Sequence, residues 1–217
     1  MMRYRYGTRM TAVMGLAIGG LLAGCAGGEE HAESPKLGQC RTLLGTANVE
    51  AAVKTTGGSD VEVGGTPQAD ALADRLVREA KRWQESDLQH TRYTACRMDA
   101  FEGDRISGTV DVSVKWSVLS LGMMSSPENR QAWRQANDSV YVEPEPGPAR
   151  MRLIAACAVP GAIASQPSDL PLQFDVEGAS LGTELRWELL SAFARSVVAE
   201  MGCAEPPVIP SALPAAA

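Results

Sequence analysis

The sequence predicts an α+β fold, in which a single antiparallel sheet carries its helices on one face and two disulfides close the chain. Residues 110–118 alternate apolar and polar side chains, a pattern typical of a strand with one buried and one solvated face. Residues 67–86 and Thr183–Met201 repeat apolar side chains at steps of three and four, which is the period of an amphipathic helix. Four cysteines follow residue 39.

The first half of the predicted domain begins with two helices. Thr46 can cap a short helix over residues 47–53 that Gly57 and Gly58 end. Thr66 before Pro67 is a second start signal, for the helix over residues 67–86. Its predicted buried stripe consists of Leu72, Leu76, Val77, Ala80 and Trp83.

Strands follow in the middle of the chain. Residues 91–98 are predicted to pair with the strand over 110–118 as a hairpin, joined through the turn at 102–104. Alternation predicts two further strands over residues 151–157 and 170–176, and Pro171 predicts that the latter is an edge strand. Before these two strands, Ser126-Pro127 predicts a short helix to Ala136, and the proline-rich segment 143–148 predicts an exposed turn.

The last predicted helix, Thr183–Met201, ends at Gly202, and four prolines follow it. We therefore predict one domain over residues 40–205 and a disordered Pro/Ala tail over residues 206–217.

The amino terminus has the features of a secretory signal. Arg3, Arg5 and Arg9 precede an apolar run over residues 10–23, which is too short to span a bilayer as a helix and suits a signal-peptide core. The run ends in Leu22-Ala23-Gly24-Cys25, which resembles the lipobox of bacterial prolipoproteins. The resemblance implies cleavage after residue 24 and acyl chains such as palmitate on Cys25. We predict a signal peptide over residues 1–24 and a lipidated flexible tether over residues 25–39.

Charge and lipid together predict a location on the extracytoplasmic face of the cell membrane. The full chain carries 20 basic and 26 acidic residues, and removal of residues 1–24 leaves 17 basic residues and a net charge of −9. A net acidic charge disfavours non-specific binding to nucleic acid, which needs a clustered basic surface. Two acyl chains on Cys25 would hold it firmly in a membrane.

The four remaining cysteines are Cys40, Cys96, Cys157 and Cys203. An even number in an exported chain favours two disulfides. Three pairings are possible, and we favour Cys40–Cys96 with Cys157–Cys203 because each closes one half of the chain by joining a helix end to a strand. A zinc site is disfavoured because closely spaced ligand pairs are absent from the sequence, and we predict no metal or other cofactor.

The mature chain resembles uncharacterised actinobacterial secreted lipoproteins in its opening Cys40-x-x-Leu43-Leu44, its central cysteine and its closing Met201-Gly202-Cys203. The resemblance implies the same location, disulfides and no assigned activity.

One motif suggests catalysis. Residues 178–182 match the G-x-S-x-G nucleophile elbow, with Ser180 as the nucleophile. The elbow fold needs a later histidine, but the only histidines are His31 and His90, both upstream. We therefore interpret Ser180 as a turn or helix-cap residue, with Thr183 as the alternative cap, and predict no catalytic residue.

These observations favour a binding or structural module that engages an unknown envelope protein or ligand. Two alternatives remain: an accessory subunit of a larger envelope complex, and a membrane-tethered serine hydrolase that uses Ser180 and His90. Trp83 and Trp116 are predicted to be core residues, whereas Trp133 and Trp187 lie off the clear stripes and are candidates for a partner contact.

Overall fold

The computed structural model describes residues 34–87, 90–144 and 149–215 of the chain. The predicted signal peptide and lipidation site, Cys25, lie outside these residues, as does most of the predicted tether.

The described chain contains six helices and seven strands. The helices are α1 (Pro35–Leu44), α2 (Thr46–Thr56), α3 (Ala69–Ala80), α4 (Leu121–Met124), α5 (Gln166–Asp169) and α6 (Thr183–Met201). The strands are β1 (Asp60–Gly64), β2 (Tyr93–Glu102), β3 (Arg105–Trp116), β4 (Arg134–Asn137), β5 (Val140–Glu143), β6 (Arg150–Ala155) and β7 (Leu172–Glu177).

All seven strands form one antiparallel sheet in the order β1-β2-β3-β7-β6-β5-β4. Helices α1, α2, α3 and α6 pack together on one face of it. The α+β prediction is therefore confirmed. The core lies between these two layers, where the Phe174 ring of β7 meets the Phe193 ring of α6 edge to face at 5.4 Å.

The hairpin prediction is confirmed as well. β2 and β3 pair through a turn at Gly103 and Asp104, and Gly103 has a φ of 62° that favours glycine. The predicted alternation in β3 places Val110, Val112 and Val114 in the core.

The prediction that Pro171 makes its strand an edge strand is wrong. β7 lies at the centre of the sheet, between β3 and β6. Pro171 precedes the first residue of the strand, so its missing N–H removes no bond from the ladder, and its carbonyl accepts the N–H of Ser117 at 2.8 Å.

The predicted helix over residues 126–136 is also wrong. Residues 125–132 form turns and bends, and the chain then enters β4 at Arg134. Trp133 is buried in a small apolar cluster with Met124, Tyr141 and Ile154. Tyr141 and Ile154 alternate with residues of the main core, so this cluster covers the second face of the sheet.

Two helix starts differ from prediction. α2 begins at Thr46 itself, after Gly45 in a positive-φ conformation, and no side chain caps it. α3 begins two residues later than predicted and ends at Ala80, and its N-cap is Gln68. Thr66 instead continues the pairing of β1 with β2, since its N–H bonds the carbonyl of Thr94.

Both termini of the predicted domain are more ordered than the sequence suggests. α1 starts at Pro35, inside the predicted tether, and proline at the first position suits a helix start. Residues 206–215, predicted as a disordered tail, lie against the domain. Ile209 is buried, and Asn137 donates a hydrogen bond of 2.9 Å to the carbonyl of Val208. An apolar anchor and backbone carbonyl bonds explain why this proline-rich segment is ordered.

The favoured disulfide pairing is confirmed. Cys40 of α1 bonds Cys96 of β2, and Cys157 after β6 bonds Cys203 after α6. As predicted, each bond closes one half of the chain and links a helix, or the residues just after it, to a strand or its end.

Candidate functional site

An open cleft of about 650 Å³ lies along the exposed side of α3 and the loop that leads into β2. We call it the arginine cleft, because Arg75, Arg78 and Arg82 line it. The other walls come from the α3 carboxyl end, the following loop and the start of β2. They are formed by Glu79, Trp83, Ser86, Asp87, His90, Thr91 and Tyr93.

Helix periodicity places the three arginines together. Residues at steps of three and four share a helix face, so Arg75 and Arg78 lie together at the exposed side of α3, and Arg82 continues their line in the turn after Ala80. The adjoining face of α3 carries Leu72 and Leu76, which are fully buried. Burial of that stripe therefore forces the arginines toward solvent and into the cleft wall.

The guanidinium groups of this cleft have no acidic partners in the described chain. No described carboxylate lies within 4.0 Å of the side-chain nitrogens of Arg75, Arg78 or Arg82. Arg75 instead lies over the Tyr93 ring, with its guanidinium carbon 5.6 Å from the ring centroid, a cation–π arrangement.

Each carboxylate of the cleft accepts a described hydrogen bond through one oxygen, and the Oε2 oxygen of Glu79 is buried with no partner among the described residues. Glu79 accepts a short hydrogen bond from the Tyr93 hydroxyl, and Asp87 accepts one of 3.1 Å from the backbone N–H of Gln84. The cleft therefore holds three cationic side chains against two carboxylates, in a protein whose overall charge is negative.

His90 lines the same cleft as a neutral group near pH 7. Burial lowers its pKa below the ordinary value of 6.5, and this effect outweighs the carboxylates of Glu79 and Asp87, which raise it. Lys115 lowers the pKa further. A neutral imidazole offers one hydrogen-bond donor and one acceptor to a ligand.

Tyr93 supports the cleft wall. Burial raises the pKa of its hydroxyl above the ordinary 10.0, and the hydrogen bond to Glu79 raises it further. The tyrosine thus stays protonated and keeps its ring beneath Arg75.

Ser180 lies in a different cleft. It is exposed in the loop between β7 and α6, and it lines a cavity of about 610 Å³ with Arg92, Asp111 and Glu177. Arg92 is paired there with both carboxylates, at 3.0 Å to Asp111 and 3.1 Å to Glu177. His90 does not line this cavity. The structure therefore does not bring the two residues of the hydrolase alternative into one cleft.

Ser180 was predicted as a turn or helix-cap residue, and it lies in a turn and does not cap α6. The N-cap of α6 is Gly182, and neither Ser180 nor Thr183 makes a side-chain cap hydrogen bond. The carbonyl of Gly182 accepts the N–H of Arg186, so the helix starts without a hydroxyl cap.

The tryptophans offer no exposed platform. Trp83 and Trp116 are buried, as predicted, and so are Trp133 and Trp187. Trp133 lies under the Arg152 guanidinium at 5.7 Å, and Trp187 donates a hydrogen bond of 3.4 Å to the carbonyl of Ser211.

The described ranges contain neither a metal-ligand cluster nor a helix that could span a membrane. No cluster of three or more His, Cys, Asp or Glu side chains there has the arrangement of a metal site. None of the described helices has both the length and the apolar character needed to cross a bilayer.

The arginine cleft was missed at the sequence level. Its signal is the spacing Arg75-x-x-Arg78-x-x-x-Arg82 on the polar side of a predicted amphipathic helix. A surface helix commonly carries such charges, and only the fold shows that these three have no acidic partner within the described part of the chain.

No protein-family model, curated protein or solved structure matches this chain.

Proposed function

We propose that the protein is a lipid-anchored binding module on the extracytoplasmic face of the cell membrane, without catalytic activity, and that the arginine cleft is its ligand site. The observation that carries the anchoring is the Leu22-Ala23-Gly24-Cys25 box after a positively charged, apolar leader. An envelope location is supported by the two disulfides, because such bonds persist in oxidising compartments.

The binding role is supported by the chemistry of the cleft. Three grouped, exposed arginines that have no carboxylate within 4.0 Å among the described residues can direct their donors to an external ligand. The cleft is open to solvent, and the neutral imidazole of His90 lines it beside the arginines. Both features suit the reversible binding of a ligand. The binding module is preferred over the hydrolase because Ser180 and His90 line separate clefts, and a serine nucleophile needs a base within hydrogen-bond reach.

The anchoring is tested by expressing the full chain in a bacterium that processes prolipoproteins. The wild type should enter the membrane fraction, and mass spectrometry should find acyl chains on Cys25 as the first residue of the mature protein. Cys25→Ala should leave an unacylated precursor or a soluble product.

Glu29→Gln is the matched control, because it changes the same segment outside the box and should be processed normally. If Cys25→Ala is processed and retained in membranes like the wild type, the proposed anchor is refuted.

A further inference from the structure

We propose that the arginine cleft binds a phosphate-bearing ligand through the guanidinium groups of Arg75, Arg78 and Arg82. This inference rests on the proposed binding role and names the chemical class that the cleft takes.

The pairing of arginines elsewhere in the protein makes this cleft distinctive. On the second face of the sheet, Arg92 and Arg150 both contact Glu177, at 3.1 and 2.9 Å. Arg97 contacts Asp99 at 2.9 Å, and Arg152 contacts Glu143 at 2.7 Å. Arg130 and Arg134 have no carboxylate partner, but they bond the backbone carbonyls of Ser125 and Pro214. The three arginines of the cleft, which occur within eight residues, have neither a carboxylate within 4.0 Å nor a hydrogen-bond acceptor in the described chain.

The spacing of the three arginines suits an anion with several oxygens. At 1.5 Å per helical residue, Arg75 and Arg78 are about 4.5 Å apart along the axis of α3, and Arg82 follows in the turn after Ala80. Three such long side chains can reach one anion. Planar guanidinium groups bind phosphate and carboxylate oxygens through paired N–H donors. A phosphate group offers enough oxygens to bind more than one arginine at once, whereas one guanidinium group already engages both oxygens of a carboxylate.

Part of this arrangement is held in place before a ligand arrives. Arg75 lies over the Tyr93 ring, and the Tyr93 hydroxyl is bonded to Glu79. Because the side chain is already ordered against the ring, less conformational entropy is lost on binding.

The carboxylates of the cleft limit the size of the ligand. Glu79 and Asp87 leave an excess of one positive charge, which suits a single phosphate group better than a polyanion. A nucleic acid would meet both carboxylates as well as the strongly acidic remainder of the chain.

Two sources share this chemistry: the phosphate of a membrane lipid headgroup and that of a soluble phosphate ester. The test uses the mature, lipidated full chain in a non-ionic detergent. One arm titrates inorganic phosphate and glycerol 3-phosphate by isothermal calorimetry. A second arm titrates mixed micelles that contain phosphatidylglycerol.

We expect saturable binding in at least one arm, weakened by added sodium chloride because the attraction is electrostatic. Arg78→Gln and Arg82→Gln should each weaken it by roughly tenfold or more, the effect of losing a charge-assisted hydrogen bond. The matched control is Arg105→Gln, which removes the same charge from an exposed position outside the cleft and should bind as the wild type does. Equal thermal midpoints of the three variants would show that they are folded.

Binding to phosphatidylglycerol micelles that exceeds binding to micelles of the detergent alone, and that Arg78→Gln weakens, would identify the lipid headgroup as the source. Binding in solution would identify a soluble ester. Failure of the wild type to bind in either arm would overturn the inference, as would an equal loss in Arg105→Gln. These results are independent of acylation: an acylated protein that binds no phosphate refutes this inference alone, and an unacylated protein that binds phosphate refutes only the anchor.

Discussion

The indole Nε1 of Trp116 donates a hydrogen bond of 3.1 Å to the backbone carbonyl of Leu76, and both residues are fully buried. Trp116 ends β3, and Leu76 lies in the middle of α3. The bond therefore fixes the helix that carries the arginines to the sheet, and it does so from the buried side of that helix.

We expect Trp116→Phe to lower the free energy of unfolding by about 1–3 kcal/mol, because the variant loses a buried hydrogen bond and leaves space unfilled. Urea denaturation followed by circular dichroism measures this. A denaturation midpoint equal to that of the wild type would show that the bond contributes nothing to stability.

The two disulfides should contribute similar amounts. Their sequence separations are 56 and 46 residues, and loop entropy changes slowly with loop length. Replacing either pair by alanine should cost about 2–5 kcal/mol. Non-reducing peptide mapping of the wild type should link Cys40 to Cys96 and Cys157 to Cys203, whereas recovery of a Cys96–Cys157 peptide would contradict the structure.

The C-terminal segment should stabilise the domain through a single apolar anchor. Ile209 is 8% exposed and its neighbour Val208 is 74% exposed. Ile209→Ala should therefore destabilise the fold by about 2–4 kcal/mol. Val208→Ala, the matched control, should change stability by less than about 0.5 kcal/mol. Equal thermal midpoints for the two variants would mean that the segment is not packed in solution.

Ser180 should be dispensable. It is exposed and makes no cap hydrogen bond, so we expect Ser180→Ala to change stability by less than about 0.5 kcal/mol. A fluorophosphonate probe should not label the wild type. Labelling of the wild type that is lost in Ser180→Ala would overturn this view in favour of a serine hydrolase.

His90 should make the protein less stable in mild acid. Burial lowers its pKa in the folded state below 6.5, so the unfolded chain binds more protons as pH falls through 6.5. The free energy of unfolding is therefore highest above pH 6.5, where the imidazole is neutral in both states. It decreases as pH falls from 6.5 toward the pKa of the folded state. The charges facing the ring are those of Glu79, Asp87 and Lys115.

We therefore expect His90→Gln to lose less stability than the wild type when thermal midpoints at pH 8 and pH 5 are compared. A larger loss in the variant would mean that folding raises the pKa of His90.

Local periodicity was enough to predict the long elements. α3, α6 and the β2–β3 hairpin carry repeated apolar side chains over ten or more residues, and one period then dominates all others. The short strands β1, β4 and β5 were missed because four or five residues do not establish a period. β4 in particular forms because β5 is beside it.

The candidate site was harder to predict than the fold. The arginine spacing is visible in the sequence, but its meaning depends on where carboxylates lie in three dimensions. Glu177 forms an ion pair with Arg92, which is 85 residues away in the sequence. Local sequence patterns do not predict which arginines form such long-range ion pairs. Tyr93 and His90 join the cleft only because the start of β2 and the loop before it lie beside the carboxyl end of α3.

The sequence by itself determined the periods of the main helices and strands, the number of cysteines and the favoured pairing between them. Tertiary structure decided the strand order that places β7 at the centre of the sheet, the separation of Ser180 from His90, and the packing of the C-terminal segment around Ile209. The reason is physical: periodicity reflects which side of one segment is buried, whereas strand order and side-chain partners depend on contacts between segments far apart in the chain.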